Sequence, residues 1–221
     1  MNTPMPGHVS NYLTFFSQFR KRFETTGAIA PSSGFLAAAM TRFLAVRPPG
    51  QPVRVLEIGP GTGPVTNRIL QLLQPSDELH LVELNPEFVS LLKQRFDSEL
   101  DWIKCRHQST IHQIPLQEFS SSSQFDFIIS GLPLNNFPAA LVDELVTAYF
   151  HLLKPGGVLS YFEYMYVRPL RKCLTRGSEY QRISQIDERL AQQCRETRIQ
   201  RDHVWINIPP AWVQHHRAPA G

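Results

Sequence analysis

Cysteine is scarce: Cys105, Cys173 and Cys194 are the only three in 221 residues. They stand far apart, form no CxxC pair and have no histidine at ligand spacing, which argues against a disulfide framework and against a zinc site. No apolar run approaches the roughly 18 residues of a membrane-spanning helix, and the first residues are polar without a signal-peptide core. The expectation is a protein of the reducing cytoplasm, soluble or resting on a membrane surface. Charge is also modest, at 19% charged residues and a formal net charge of +3, too little by itself to indicate nucleic acid. Internal repeats are absent, and Ser120 to Ser123 reads as a plain polar loop. His215 and His216 close a strand-like tail and read as exposed imidazoles, not metal ligands.

What is present suits one α/β domain, with 42% hydrophobic residues and 18 prolines punctuating ordered loops. Residues 1–7 are a lead-in of turn formers. From Tyr12, the residues Tyr12, Phe16, Phe19 and Phe23 recur at helical spacing, with Arg20, Lys21 and Arg22 beside them, which predicts an amphipathic helix with an aromatic face. Gly34 to Val46 predicts a second helix, and Arg47 to Pro52 separates this front from the rest. Residues 1–50 are therefore expected as a helical extension and 51–221 as one globular unit. In that unit the pattern alternates: strand 53–58, helix 63–74, strand 79–84, helix 86–96, a short strand near 102–106, strand 126–130, helix 138–153 and strand 157–164. A helix over 178–196 and a hairpin of 203–208 with 212–216 follow. Alternation of this kind predicts a Rossmann-like fold, a mostly parallel seven-stranded sheet with helices on both faces, whose ligand lies at the carboxyl ends of the strands.

The most informative segment is V-R-V-L-E-I-G-P-G-T-G-P at 53–64. An apolar strand runs through Glu57 and breaks into glycines at Gly59, Gly61 and Gly63, where a backbone can turn sharply and approach a ligand. Glu83 closes the next strand roughly 20 residues on, where a carboxylate accepts both hydroxyls of a ribose, with Leu84 beside it. Glu57 would repel the pyrophosphate of a dinucleotide but tolerates a cationic tail. S-adenosylmethionine carries an ammonium and a sulfonium, so the loop reads as a methyltransferase loop, giving S-adenosylhomocysteine as product. The competing reading makes Glu57 a purely structural strand-end carboxylate.

After the third expected strand, Gln108 or Ser109 is placed to meet the adenine edge, an amide being able to accept from the adenine amino group; a solvated loop is the alternative. After the fourth strand comes S-G-L-P-L-N-N-F-P at 130–138, where Ser130, Gly131, Leu132 and Pro133 build a rigid strand end at which an acceptor nitrogen would sit. Tyr161, Glu163, Tyr164 and Tyr166 end the fifth strand, and tyrosine faces favour a methylated ammonium. Alternation lets only some of the three tyrosines share a face. Arg168, Arg171, Lys172 and Arg176 could grip a phosphodiester, or form a solvated basic loop.

G-A-I-A-P-S-S at 27–33, L-E-I-G-P-G-T-G at 56–63, V-E-L-N-P-E-F at 82–88, S-G-L-P-L-N-N-F-P at 130–138 and N-I-P-P-A at 207–211 resemble, in order, the soluble bacterial phosphatidylethanolamine N-methyltransferases. The glycine loop is common to class I methyltransferases; A-P-S-S and S-G-L-P-L are more specific. The resemblance implies stepwise methylation of a phospholipid amine, phosphatidylethanolamine towards phosphatidylcholine, at the inner membrane surface. It implies cofactor contacts from Ser32 and Ser33 alongside Glu57, Gly59, Gly61, Gly63, Glu83, Leu84, Gln108, Ser109 and Ser130. It implies methyl transfer at Gly131, Leu132, Pro133 and Tyr164, and substrate contacts from Tyr12, Tyr161, Arg168 and Arg171. An acidic residue often follows strand three in such enzymes, and here Gln108 stands in that place. The chain is also similar to ribosomal RNA adenine dimethyltransferases, but Gly131 and Leu134 replace the amide and aromatic that would hold a flipped base, so nucleic acid is not expected. On the lipid reading, residues 8–25 lay aromatic side chains into the acyl boundary and basic ones against anionic head groups. The bland alternative packs those aromatics on the core.

Overall fold

The computed structural model describes residues 34–132, 134, 137, 139–165 and 195–220. The expected helices around Tyr12 and over 178–196 lie outside those residues, apart from Arg195 and Glu196. Helices α1 (Gly34–Met40) and α2 (Arg42–Ala45) come first. The alternating unit follows as β1 (Arg54–Ile58), α3 (Pro64–Leu70), β2 (Glu78–Val82), α4 (Pro86–Ser98), α5 (Leu100–Cys105), β3 (Ser109–His112), β4 (Phe125–Ser130), α6 (Ala139–Leu152), β5 (Leu153–Tyr164), β6 (Arg198–Val204) and β7 (Ala211–Arg217). The seven strands form one sheet in the order β3-β2-β1-β4-β5-β7-β6. Neighbours from β3 to β5 are parallel, whereas β7 runs antiparallel to both β5 and β6. This is the Rossmann-like architecture expected from the alternation.

Strand β1 is an interior strand between β2 and β4 and is covered on both faces, which is why R-V-L-E-I reads as a continuous buried run rather than an alternation. One core, holding Leu36, Met40, Leu44, Ile69 and Trp102, packs against one face of the sheet. The other, holding Phe125, Leu145, Tyr149 and Leu159, packs against the opposite face. The anticipated single helix over 34–46 is two, interrupted at Thr41, whose hydroxyl donates back to the Ala37 carbonyl at 2.8 Å. Helix α4 begins as its sequence suggests: Asn85 caps the Glu87 amide at 2.8 Å and Pro86 occupies the first turn.

Two expectations are overturned. The segment near 102–106 is a helix, α5, directly following α4, and the true third strand is S-T-I-H at 109–112. Only a helical turn there buries Trp102 against Phe96 with ring centroids 4.8 Å apart and lets its indole donate to Asn67 at 3.1 Å. A short run of mixed polarity carries no period that reveals this. His215 and His216 are buried, not exposed, because β7 is an interior strand covered on both faces. His215 meets Ser160 Oγ at 2.8 Å and lies edge-on to Phe43, while His216 stacks on Tyr161 and meets Thr197 Oγ1 at 3.0 Å.

Burial, with Arg198 and His215 nearby, pushes the His216 imidazole down to about 4. The unfolded chain, with an ordinary histidine, therefore binds more protons between that value and the usual 6.5, so the contribution is complete above 6.5 and is lost as pH falls. A His216→Gln chain should lose less stability than the parent between pH 6.5 and 4, the difference amounting to about 3 kcal/mol in urea melts. Parallel losses would show that His216 is not a source of acid lability.

Candidate active site

The strand ends leave a notch where β1 and β4 stop side by side, Ile58 paired with Ser130. The chain turns away from β1 through Gly59, whose amide donates to the Val82 carbonyl at 2.9 Å, and Gly63, whose amide donates to Pro60 at 2.9 Å. The chain leaving β4 comes back against this turn, with the Gly131 amide donating to the Ile58 carbonyl at 2.7 Å. A Cβ on Gly131 would stand 2.5 Å from the Gly59 carbonyl oxygen, and one on Gly59 would run into the Leu132 side chain. A side chain at position 131 would part the two loops, whereas one at position 59 would displace the Leu132 side chain and sit at a φ of +66°. Gly61 differs: its φ of +59° favours glycine, yet nothing lies within 4 Å of where a Cβ would be, so its face is open to a ligand. Trp102 backs the turn from below, and Arg95, held over the indole at 4.1 Å, donates to the Thr62 carbonyl at 2.6 Å.

Two carboxylates define the electrostatics. Glu57 is buried in β1; its Oε2 accepts from Thr66 Oγ1 at 2.7 Å, and its Oε1 has no hydrogen-bond partner among the described residues. Burial raises its carboxyl to about 8, partly offset by the Thr66 hydrogen bond and reinforced by the nearby Glu83. Glu83 accepts from the Gly61 amide at 3.0 Å and from the Asn85 amide at 2.8 Å, which ties the glycine turn to the end of β2. An unpartnered buried carboxyl beside an open glycine turn fits a cationic ligand tail, and a second carboxylate at the next strand end fits a ribose.

Glu57, Gly59, Gly61, Gly63, Glu83, Leu84, Gly131 and Leu132 thus converge on one edge of the sheet. Gln108 and Ser109 do not. Gln108 precedes β3 and Ser109 opens it, both at its amino end, with the Ser109 hydroxyl donating to the Cys105 carbonyl and the Gln108 amide lying beside the Gln74 and Pro75 carbonyls. The misplaced third strand caused this error. The residue that follows β3 at the ligand edge is Gln113, exposed, and the β-branched S-T-I-H run before it was the available signal. Ser130 is at the notch, but its hydroxyl is turned inward to Tyr149 at 2.8 Å and receives the Leu132 amide at 3.3 Å. Tyr161 and Tyr164 are both buried and lie in opposite cores. Burial pushes the Tyr164 hydroxyl up to about 12. Ser32, Ser33, Pro133, Tyr12, Tyr166, Arg168 and Arg171 fall outside the described residues. Among the described residues no group of three or more histidine, cysteine, aspartate or glutamate side chains is placed to hold a metal.

Strand order, glycine turn and paired carboxylates together define a class I S-adenosylmethionine-dependent methyltransferase. In agreement, residues 55–157 match the family described as a methyltransferase domain. The ornithine lipid N-methyltransferase of Singulisphaera acidiphila is 29% identical over 154 residues, 69% of this chain and 77% of that protein. The ubiquinone/menaquinone biosynthesis C-methyltransferase UbiE of Pseudomonas paraeruginosa is 31% identical over 111 residues, 50% of this chain but 41% of that protein. Among solved structures, the N-methyltransferase NodS from Bradyrhizobium japonicum, in complex with S-adenosylhomocysteine, superposes with a TM-score of 0.57 at 18% identity, over 84% of this chain and 88% of that one. The O-methyltransferase TomG from Streptomyces achromogenes, in complex with S-adenosylmethionine, gives 0.59 at 17%, over 86% and 82%. At such identities these structures show the fold alone.

With a carboxyl near 8, Glu57 holds its proton at neutral pH, and an ammonium brought against it would displace that proton. Calorimetric titration with S-adenosylhomocysteine at pH 7 should therefore release about one proton per ligand, and affinity should fall as pH drops below 8. Buffer-independent binding heat would contradict this, and Glu57→Gln should abolish the release. Glu83→Ala should weaken cofactor binding about tenfold or more, by losing both the ribose contact and the anchor on Gly61.

Proposed function

We propose that this chain methylates the primary amine of an aminolipid, with phosphatidylethanolamine the acceptor that the sequence motifs favour, at the inner face of the membrane. The observation that carries the reading is the likeness to an ornithine lipid N-methyltransferase over 69% of the chain, which agrees with the order of motifs from A-P-S-S to N-I-P-P-A. S-adenosylmethionine supplies an electrophilic methyl group carried on sulfur. The chain's own part is positioning, since attack by an amine needs a neutral nitrogen held in line in a water-poor notch.

Glu57 faces the ammonium end of the cofactor, Glu83 takes the ribose, and Leu84 with Gln113 flanks the adenine. Leu132, packed on Gly59, shapes the floor on which the acceptor amine rests. Tyr164 stays protonated at neutral pH, so it does not remove the amine's proton; its ring is a neutral wall beside a methylated ammonium. The proton leaves by way of water. Tyr12, Arg168 and Arg171 remain assigned to the head group and phosphodiester, and Ser32, Ser33 and Pro133 to the rim of the cofactor. Residues 8–25 meet the anionic surface. A flipped nucleobase is disfavoured because Leu134, where a stacking aromatic would stand, is buried in the core.

Incubation with labelled S-adenosylmethionine and vesicles of phosphatidylethanolamine, vesicles of an ornithine lipid, or RNA should place label in an aminolipid. Label in RNA with none in either lipid would end this reading. Removal of residues 1–25 should sharply lower vesicle pelleting while leaving S-adenosylhomocysteine affinity intact; unchanged pelleting would put that helix on the core instead.

A further inference from the structure

Eight large apolar side chains are exposed among the described residues, and three of them fall within four positions of the turn between β6 and β7: Trp205 at 62%, Ile206 at 68% and Ile208 at 72%. Turns of soluble proteins ordinarily carry polar residues at such positions. This one, H-V-W-I-N-I-P-P-A over 203–211, has no acidic or permanently basic residue. Its polar residue faces inward: Asn207 is buried and donates to the Pro209 carbonyl at 2.6 Å, leaving the two isoleucines and the indole outside. The patch continues into a groove against α1 and α2, where Phe35 and Val46 are also exposed. Arg42 and Asp202, the charged side chains of that groove, pair with each other at 2.6 Å.

Position gives the patch its meaning. Ser130 at the active notch pairs with Tyr161, and β5 continues three residues further to Tyr164, which pairs with Ala211. The Met165 amide then donates to the Pro210 carbonyl at 2.9 Å. The turn therefore projects from the same edge of the sheet as the glycine turn and stands beyond the end of β4 by about 10 Å, at roughly 3.3 Å per strand residue. Trp205, Ile206 and Ile208 therefore stand on the same edge of the sheet as the notch between Gly59 and Gly131.

We propose that the β6–β7 turn is an interfacial anchor that sinks into a lipid surface and turns the active edge toward it. An indole with two isoleucines, beside a groove whose Asp202 is paired with Arg42, suits the boundary between head groups and acyl chains, where an amphipathic ring sits and apolar side chains leave water. This deepens the lipid reading and rests on it for the purpose of the contact, though the contact itself is separately measurable. Residues 8–25 alone would supply one attachment; the turn supplies a second and sets orientation, and stable peripheral binding ordinarily needs two.

The test uses the full chain with vesicles of phosphatidylglycerol and phosphatidylcholine, which offer no primary amine. Combined Trp205→Ser, Ile206→Ser and Ile208→Ser should lower the partition coefficient about tenfold or more, with S-adenosylhomocysteine affinity and Tm unchanged, since all three side chains are exposed. Tryptophan emission of the parent should be quenched by lipids brominated near the head group, and Trp205→Phe should remove that quenching while retaining partition. Unchanged partition in the triple variant, or quenching that survives Trp205→Phe, overturns the proposal. So does loss of a concentration-dependent dimer in the triple variant with partition intact, which would make the turn a contact between copies. If partition falls as expected but label enters no aminolipid, the anchor stands and the substrate reading fails.

Discussion

The contact between the Gly59 and Gly131 backbones is the constraint on which the site depends. Two chain segments leaving adjacent parallel strands ordinarily diverge to make room for side chains. Here the Gly131 amide bonds to Ile58, and no Cβ intervenes between the loops. The glycine turn is thereby pressed from one side by the loop after β4 and backed from below by Trp102. Gly61 remains with its face open. A cradle built from backbone against backbone costs little reorganisation when a ligand enters, which suits an enzyme whose chemistry is mostly positioning.

Electrostatics then selects what enters. Glu57 and Glu83 sit close enough to raise the Glu57 carboxyl further, and one buried Glu57 oxygen has no partner among the described residues. That arrangement is unfavourable for the empty protein and favourable once a positive charge arrives. It also separates this turn from dinucleotide-binding glycine loops, which need a helix amino terminus free of competing anions. Glu83 is also structural, because its bonds to the Gly61 and Asn85 amides make this carboxylate part of the loop's own scaffold.

Legibility in the sequence followed the length and regularity of each signal. The buried run V-R-V-L-E-I with its glycines, the alternation of strands and helices, and the two carboxylates at strand ends could all be read directly. The short amphipathic run W-I-K-C could not, because four residues carry no decisive period and the evidence for a helix is the indole's partners on α3 and α4. That single error moved the residue read as following strand three from Gln113 back to Gln108 and Ser109. The two histidines of β7 were misread for a related reason: a polar pair at a strand end looks solvent-facing until another strand and a helix cover both faces.

By itself the sequence determined the architecture and the cofactor, because buried parallel strands, glycine turns and strand-end carboxylates are local patterns with local physical causes. Tertiary structure alone decided which of those residues meet. It turned the Ser130 hydroxyl inward to Tyr149 and carried the apolar β6–β7 turn to the edge that holds the glycine loop. These are outcomes of strand order and register, which depend on contacts between residues far apart in the chain and leave no mark in any single stretch of it.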